Sequence, residues 1–537
     1  MINLIPLPVK YEEKEGKFTA SNKVIIYADT TLKTSASALL ELFSKVTEIN
    51  PKITDNRADA NIIFKLVDNI KKEGYTIEIN SENITVCASE FAGAFYAVQT
   101  LRQLFKLDYQ KPCMTINCAL IEDYPRYSWR GLMLDESRHF FGMETVKKLI
   151  DLLAMHKLNI LHWHLSDNEG WRVEIKKYPK LTEIGSKRRG THFLAWGRRD
   201  DAAVDWTPYS GYYTQDEIKE IVKYAQDQNV MIVPEIDMPA HFGAVLAAYP
   251  DLGCRGLQIE TPIMHGGEKN GPGDLIACAG NSDTISFLYD VLDELVQLFP
   301  GGYFHIGGDE APKAEWKACP KCQNTIKSEG LKNEEELQGY LSNKMYHWLK
   351  SKGKKLIGWN EILKATSLER DALIQYWHPI RDRRVEKWVR ENGKVIISKH
   401  QAFYFDMPYA MRNLKKTYNF EPSKCKLDEN YNAIIGVEAA CWTEWIKDED
   451  RLFFQLFPRI EALSETAWSP KGSRNYANFR LRLEEFVEVL EKLNIPYAPL
   501  NITDTGLIET LKTSKTFISQ NAHVEYEKVK RNKQEKR

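Results

Sequence analysis

Thr214–Met238 reads TQDEIKEIVKYAQDQNVMIVPEIDM, and this stretch holds both halves of a repeated unit. Thr214 and Glu217 have capping-box spacing, each side chain satisfying the other residue's backbone N–H at a helix start. A helix is therefore expected over Gln215–Asn229. The apolar run VMIVPEIDM that follows reads as a buried strand. The unit recurs on either side. GLMLD (131–135) precedes a helix around Thr145–His156, which leads to NILHWHLSD (159–167). The helical Thr284–Phe299 leads to YFHIGGDE (303–310). KLIGWNE (355–361), LIQYWH (373–378), KVIISKH (394–400) and AIIGVEAACWTE (433–444) come next, with mostly helical intervals. Eight alternations of strand and helix predict an α/β chain whose main body is a closed (β/α)8 TIM barrel. An open doubly wound sheet would carry a glycine-rich phosphate turn after its first strand, and GLMLDESRHF has none.

The first 124 residues have another texture. KVIIYA, ANIIFKLV, GYTIEINS and ENITVCAS read as short strands, and GAFYAVQTLRQLF (93–105) as a helix, with Phe95, Val98, Leu101 and Leu104 near a 3.6 period. Residues 1–124 are expected to form a small α+β domain without convergent chemistry, residues 125–500 the barrel, and 501–537 a helical or loose C-terminal tail. Pro125, in EDYPRYSWRG, marks the boundary.

At 537 residues, 43% of them hydrophobic and 27% charged, the chain has ample material for a core. The 73 basic and 74 acidic residues cancel, so no field steers nucleic acid or an anionic membrane. The basic end, VKRNKQEKR (529–537), reads as a solvated tail. No run of about 20 apolar residues spans a membrane. MINLIPLPVKYEEKEGKF has neither the basic flank nor the apolar length of a signal peptide, so a cytoplasmic location is expected, or a secreted or periplasmic one if an export signal has been trimmed. Nine cysteines are scattered without framework spacing, as suits reduced thiols. Cys319-Pro-Lys-Cys322 is the one close pair. A zinc site would want a second pair at matching spacing, and the solitary Cys278 and Cys425 do not supply one, so a surface thiol pair is expected.

A barrel of this kind carries its site at the C-terminal strand ends. Read there, the chain presents Asp167 and Trp171, then Asp237 and His241, then Asp309-Glu310, then Trp359 and Trp377. Tyr404 and Asp406 follow, two apart and so on one face, as are Trp442 and Glu444. Trp129-Arg130 enters the first strand. Carboxylates between indole walls suit a sugar, whose CH faces stack on rings while its hydroxyls need acceptors and forked donors such as Arg130.

In this order, RGLMLDESRHFF, HWHLSDNEGWRVEI, PEIDMPAH, HIGGDE, IGWNEI, YFDMPY and WTE resemble family 20 glycoside hydrolases, the β-N-acetylhexosaminidases. GAFYAVQTLRQL resembles that family's small domain before the barrel, and the likeness runs from about Tyr75 to Trp468. The resemblance implies an exo-acting enzyme that removes terminal non-reducing β-linked GlcNAc or GalNAc with retention. No cofactor or metal is implied, and the expected partner is a carbohydrate with a terminal N-acetylhexosamine, with no nucleic acid and no membrane. In this family the substrate's 2-acetamido oxygen is the nucleophile and an oxazolinium ion forms. Carried over, Glu310 is the general acid and base, Asp309 orients the acetamido N–H, and Tyr404 bonds its oxygen. Trp359, Trp377 and Trp442 enclose the sugar and its N-acetyl group. Arg130, Asp406 and Glu444 hold hydroxyls, while Asp167 and His241 form a relay that adjusts Glu310. Asp237 is expected to support that network, and His305 to be a core histidine. A further family tryptophan after the Tyr-x-Asp pair is missing, since Asp406 to Glu421 offers only Tyr409 and Tyr418; this bears on the aglycone side.

Other readings are a disaccharide-releasing lacto-N-biosidase of the same family and an inactive carbohydrate-binding protein on the same fold. His162-Trp-His164 raises a metal-dependent barrel hydrolase, but the pair lies within strand two rather than at the end of strand one, and packing explains a shared face. The letters GGDE also occur in nucleotide cyclases, where an aromatic hairpin turn follows; here Ala311-Pro312 follows.

Overall fold

The structure, a computed structural model, describes residues 2–46, 51–109, 113–192, 204–263, 275–379, 381–425, 427, 431–519 and 530. The basic end (529–537) lies outside them apart from Lys530. Among the described residues no helix is long and apolar enough to cross a membrane.

The barrel strands are β1 (Trp129–Asp135), β2 (Ile160–His164), β3 (Met231–Glu235), β4 (Tyr303–His305), β5 (Lys355–Trp359), β6 (Leu373–Tyr376), β7 (Lys394–Ile397) and β8 (Ile434–Cys441). All neighbours pair in parallel, and β8 pairs with β1, with Gly436 opposite Trp129, to close the ring. These strands read clearly in the sequence because both faces are covered: every residue of β1 and β2 is buried. The helix before β3 begins where its cap places it. Thr214 Oγ1 accepts from the Glu217 N–H (3.2 Å), and Glu217 Oε2 accepts from the Thr214 N–H (2.8 Å). One interval differs from the regular alternation: between β5 and β6 stands only the 3-10 turn Asn360–Lys364.

Ahead of the barrel lies a seven-stranded mixed sheet, in the order Lys10–Thr19, Thr115–Asp123, Tyr75–Ile79, Ile84–Ala88, Ile62–Leu66, Ile25–Ala28, Lys52–Thr54. Helices Lys33–Val46 and Phe91–Leu104 pack on it and on each other. Past the barrel, Leu507–Ser519 is helical. It is tied in rather than loose, since Phe517 is buried edge-on against Trp445 at 5.2 Å.

The cysteines correct the sequence reading. Cys319 and Cys322 are buried rather than superficial. Their companions are Cys278 and Cys254, and Cys425 stands elsewhere. The four come from two connections, Cys254 and Cys278 between β3 and β4 and Cys319 and Cys322 after β4, and no single sequence spacing displays them.

Candidate active site

At the end of β4 the chain must turn two neighbouring acids into different positions, and the glycines permit it. Gly307 and Gly308 have φ of +65° and +96°. A Cβ on Gly307 would fall 1.8 Å from Asp237 Oδ1, and one on Gly308 would fall 2.3 Å from Ile362 Cγ2. The Gly308 N–H donates to Asp237 Oδ1 (3.1 Å), so Asp237 holds the turn. Glu310 itself lies at φ +44°. In consequence Asp309 is buried, whereas the Glu310 side chain is 48% exposed.

Both acids meet one imidazole. His241 Nε2 stands 3.6 Å from Asp309 Oδ2 and 3.7 Å from Glu310 Oε2, while its Nδ1 is 3.0 Å from Asp167 Oδ1. Asp167 is gripped in turn by Arg138 (2.7 Å) and by His164 Nε2 (3.2 Å). Burial opposes charge on His241, but Asp167 and Asp237 outweigh it and hold the imidazole well above its ordinary range. Burial, with Asp237 beside it, lifts Asp309 well above the usual carboxylate range.

Opposite these acids are the rings. Trp377 and Tyr404 are stacked, 5.8 Å apart and 19° from parallel, and Trp442 is tilted against Tyr404 at 6.5 Å. The Trp377 indole N–H donates to Glu361 Oε2 (3.0 Å). Between them opens a cavity of about 150 Å³, room for roughly five water molecules. Asp406 and Glu444 line it with Arg138, Met407 and Trp445. Asp309 Oδ1, Asp406 Oδ1 and Glu444 Oε2 are buried acceptors with no hydrogen-bond donor among the described residues. Buried acceptors are ordinarily satisfied, so this cavity is built for a ligand rich in hydroxyl and N–H groups.

Residues 127–471 match the family model "Glycosyl hydrolase family 20, catalytic domain", and residues 1–124 match "Glycosyl hydrolase family 20, domain 2". The chain belongs to glycosyl hydrolase family 20. It is 35% identical to a β-hexosaminidase of Porphyromonas gingivalis over 518 residues, covering 92% of this chain and 64% of that protein. Among solved structures, the exo β-N-acetylglucosaminidase of Vibrio harveyi in complex with N-acetylglucosamine superposes with a TM-score of 0.82 at 30% identity, covering 93% of this chain and 78% of that one. The β-N-acetylhexosaminidase of Bacteroides fragilis gives 0.79 at 33% identity, over 92% and 97%.

Within this family 20 chain, the pocket brings together Asp167, His241, Asp309, Glu310, Trp377, Tyr404, Asp406, Trp442 and Glu444. Trp359 stands behind that lining, fully buried. Its ring lies 6.0 Å from that of Trp442, and its indole N–H donates to Glu235 Oε1 (2.9 Å). It supports the wall.

Arg130 is a correction. It sits at the entry of β1, the opposite end of the barrel from the pocket. Its guanidinium donates to Glu73 Oε2 (2.6 Å), Tyr96 Oη (2.7 Å) and the carbonyls of Lys157 and Tyr127 (2.8 Å each). It joins the barrel floor to the first domain. The cation at the pocket is Arg138, which sequence reasoning passed over although DESRHFF contains it. The signal was position alone: Arg138 lies three residues beyond the end of β1, whereas Arg130 is its second residue. Arg138 is also held by Asp135 (3.1 Å) and Glu169 (3.0 Å), with its guanidinium 5.2 Å over the Trp442 ring.

His162 and His164 point into the barrel, His162 against Glu438 (2.8 Å) and His164 against Glu235 (2.6 Å). His305, also fully buried, reaches Glu235 at 2.8 Å. Neither Tyr409 nor Tyr418 faces the pocket: their hydroxyls donate inward, to the Phe457 carbonyl (2.7 Å) and Glu465 (2.9 Å).

Proposed function

We propose that this chain is an exo-acting β-N-acetylhexosaminidase, releasing terminal non-reducing β-linked GlcNAc or GalNAc with retention and with the substrate's acetamido group as nucleophile. The observation that carries this is the convergence of Asp309 and Glu310 on one edge of His241. A retaining enzyme with its own nucleophile sets two carboxyls on either side of the bond, about 5 Å apart. Consecutive residues sharing one imidazole form a single wall. A second face served by the substrate's own acetamido group, as in family 20, fits this arrangement.

In the proposed reaction Glu310, at the pocket mouth, gives its proton to the glycosidic oxygen as the bond to the anomeric carbon breaks. The acetamido carbonyl oxygen forms the new bond to that carbon, and its nitrogen becomes cationic. Asp309 accepts the acetamido N–H. A carboxylate strained by burial and by Asp237 gains most when a cation forms beside it, which is differential stabilisation of the transition state. Tyr404 donates its hydroxyl to the acetamido oxygen. Glu310 then takes a proton from water as the water attacks the anomeric carbon and reopens the ring. The Asp167–His241 pair holds the two acids in place and tunes them. Arg138, Asp406 and Glu444 hold ring hydroxyls, and Trp377 and Trp442 enclose the sugar, backed by Trp359.

Aryl glycosides of GlcNAc, GalNAc, glucose and lacto-N-biose test the reading. Hydrolysis of the first two, with none of the glucoside, is expected, because removing the acetamido group removes the nucleophile. Release of lacto-N-biose with the GlcNAc glycoside untouched would favour the disaccharide reading. No turnover of any would favour the binding protein.

A further inference from the structure

We propose that Cys254, Cys278, Cys319 and Cys322 form a structural zinc site, a tetrathiolate that clips the loop after β3 to the loop after β4. Their four sulfurs all lie within 4.8 Å of one another. The individual separations are 3.9 Å for Cys254–Cys322, 3.7 Å for Cys278–Cys319 and 3.7 Å for Cys278–Cys322. A tetrahedral Zn²⁺ with bonds of about 2.3 Å sets its sulfurs about 3.8 Å apart. A disulfide would need about 2.05 Å. The cluster therefore has the dimensions of a tetrahedral cage and of nothing covalent.

The backbone around the sulfurs is shaped for the same purpose. Cys319 stands at the N-cap of the helix Pro320–Ser328 and Cys322 in its first turn, where the helix dipole favours thiolate. Gly280 faces this turn so closely that a Cβ would lie 2.3 Å from the Lys321 carbonyl carbon and 2.4 Å from the Cys322 nitrogen. Three of the four thiols are buried and the fourth half-buried. Four sulfurs so placed repel one another as thiolates unless a cation lies between them. All-sulfur tetrahedral ligation selects zinc among the common divalent ions.

The clip has a mechanical consequence. Cys319 follows Glu310 by nine residues, through the short helix Ala314–Ala318. That helix is also pinned to the other loop, the Trp316 indole N–H donating to the Ala277 carbonyl (2.9 Å) and Glu315 pairing with Arg255 (2.9 Å). A bound ion would lock the two loops that carry His241 and the Asp309-Glu310 pair.

The test is elemental analysis of the full chain, purified without an immobilised-metal resin. About one zinc per chain is expected, released by a mercurial reagent in step with modification of four thiols, and accompanied by a lower melting temperature. Cobalt substitution should give the thiolate charge-transfer and tetrahedral d–d bands. Cys278→Ser and Cys322→Ser should lose the metal more than tenfold, while Cys425→Ser should keep it. Should the serine variants fail to fold, the metal content and thiol protection of the unaltered protein still decide. Less than a tenth of an equivalent of zinc, a disulfide between any two of the four, or iron in its place would overturn the assignment.

Discussion

Asp309 and Glu310 are neighbours in the chain but opposites in environment. In the proposed reaction Asp309, enclosed beside Asp237, is the group whose charge gains from a cation forming next to it, and Glu310, half in solvent, meets both the leaving oxygen and the water. Asp309→Asn should cost about 10²–10³ in kcat whatever the leaving group, as loss of a main electrostatic contact does. Glu310→Gln should cost about 10²–10⁴ on poor leaving groups and markedly less on activated aryl glycosides, which need no proton. Steady-state kinetics with a graded series of leaving groups checks both. A nearly silent Asp309→Asn, together with a covalent sugar trapped on another carboxylate, would sink the substrate-assisted mechanism. Glu444 offers a pH signature. Burial outweighs the pull of Arg138 and lifts its carboxyl to about 7. Below that pH the free protein holds Glu444 neutral, and above it ionised and able to accept two hydroxyl hydrogens. KM should therefore fall as pH rises through about 7, and Glu444→Gln should flatten that limb of the kcat/KM profile.

At the scale of the element, the end of β4 is the most constrained segment. Gly308→Ala places a methyl group against Ile362 at a positive φ, and should cost about 1–3 kcal/mol along with a large loss of kcat, since Asp309 is the next residue. Ile362→Ala in the same chain should recover part of the stability, because it clears the overlap and leaves the backbone strain. Thermal denaturation of the single and double variants measures this. The eight barrel strands were legible because burial on both faces leaves nearly unbroken apolar runs. The strand Lys10–Thr19, KYEEKEGKFT, was not. It is an edge strand, mostly exposed, paired on one side with Thr115–Asp123 across an irregularity between Glu13 and Lys17. An edge open to water needs neither alternation nor apolar content, so its sequence carries no strand signal.

At the scale of the molecule, the first domain is welded to the barrel floor. Arg130 bonds Glu73 and Tyr96 beneath Trp468. Beside it, Lys157 and the Trp468 indole both donate to Asp123, each at 2.9 Å. These groups are buried, so removing one partner strands the charge of another. Arg130→Met should lower stability by about 3–5 kcal/mol, read by denaturant unfolding, with KM for an aryl N-acetylglucosaminide unchanged in the protein that remains folded. A selective rise in KM would instead return Arg130 to the sugar.

By itself the sequence determined the barrel, its eight strands and the acids and rings at their ends. Those features follow from local periods of burial and from capping and turn chemistry, all written within a few residues of each other. Only the tertiary structure decided which arginine reaches the pocket, that Trp359 stands behind its wall, and that Cys254 and Cys278 join Cys319 and Cys322. Each depends on which strand end faces which loop once the ring closes. That closure is set by packing between segments tens to hundreds of residues apart, so no spacing along the chain records it.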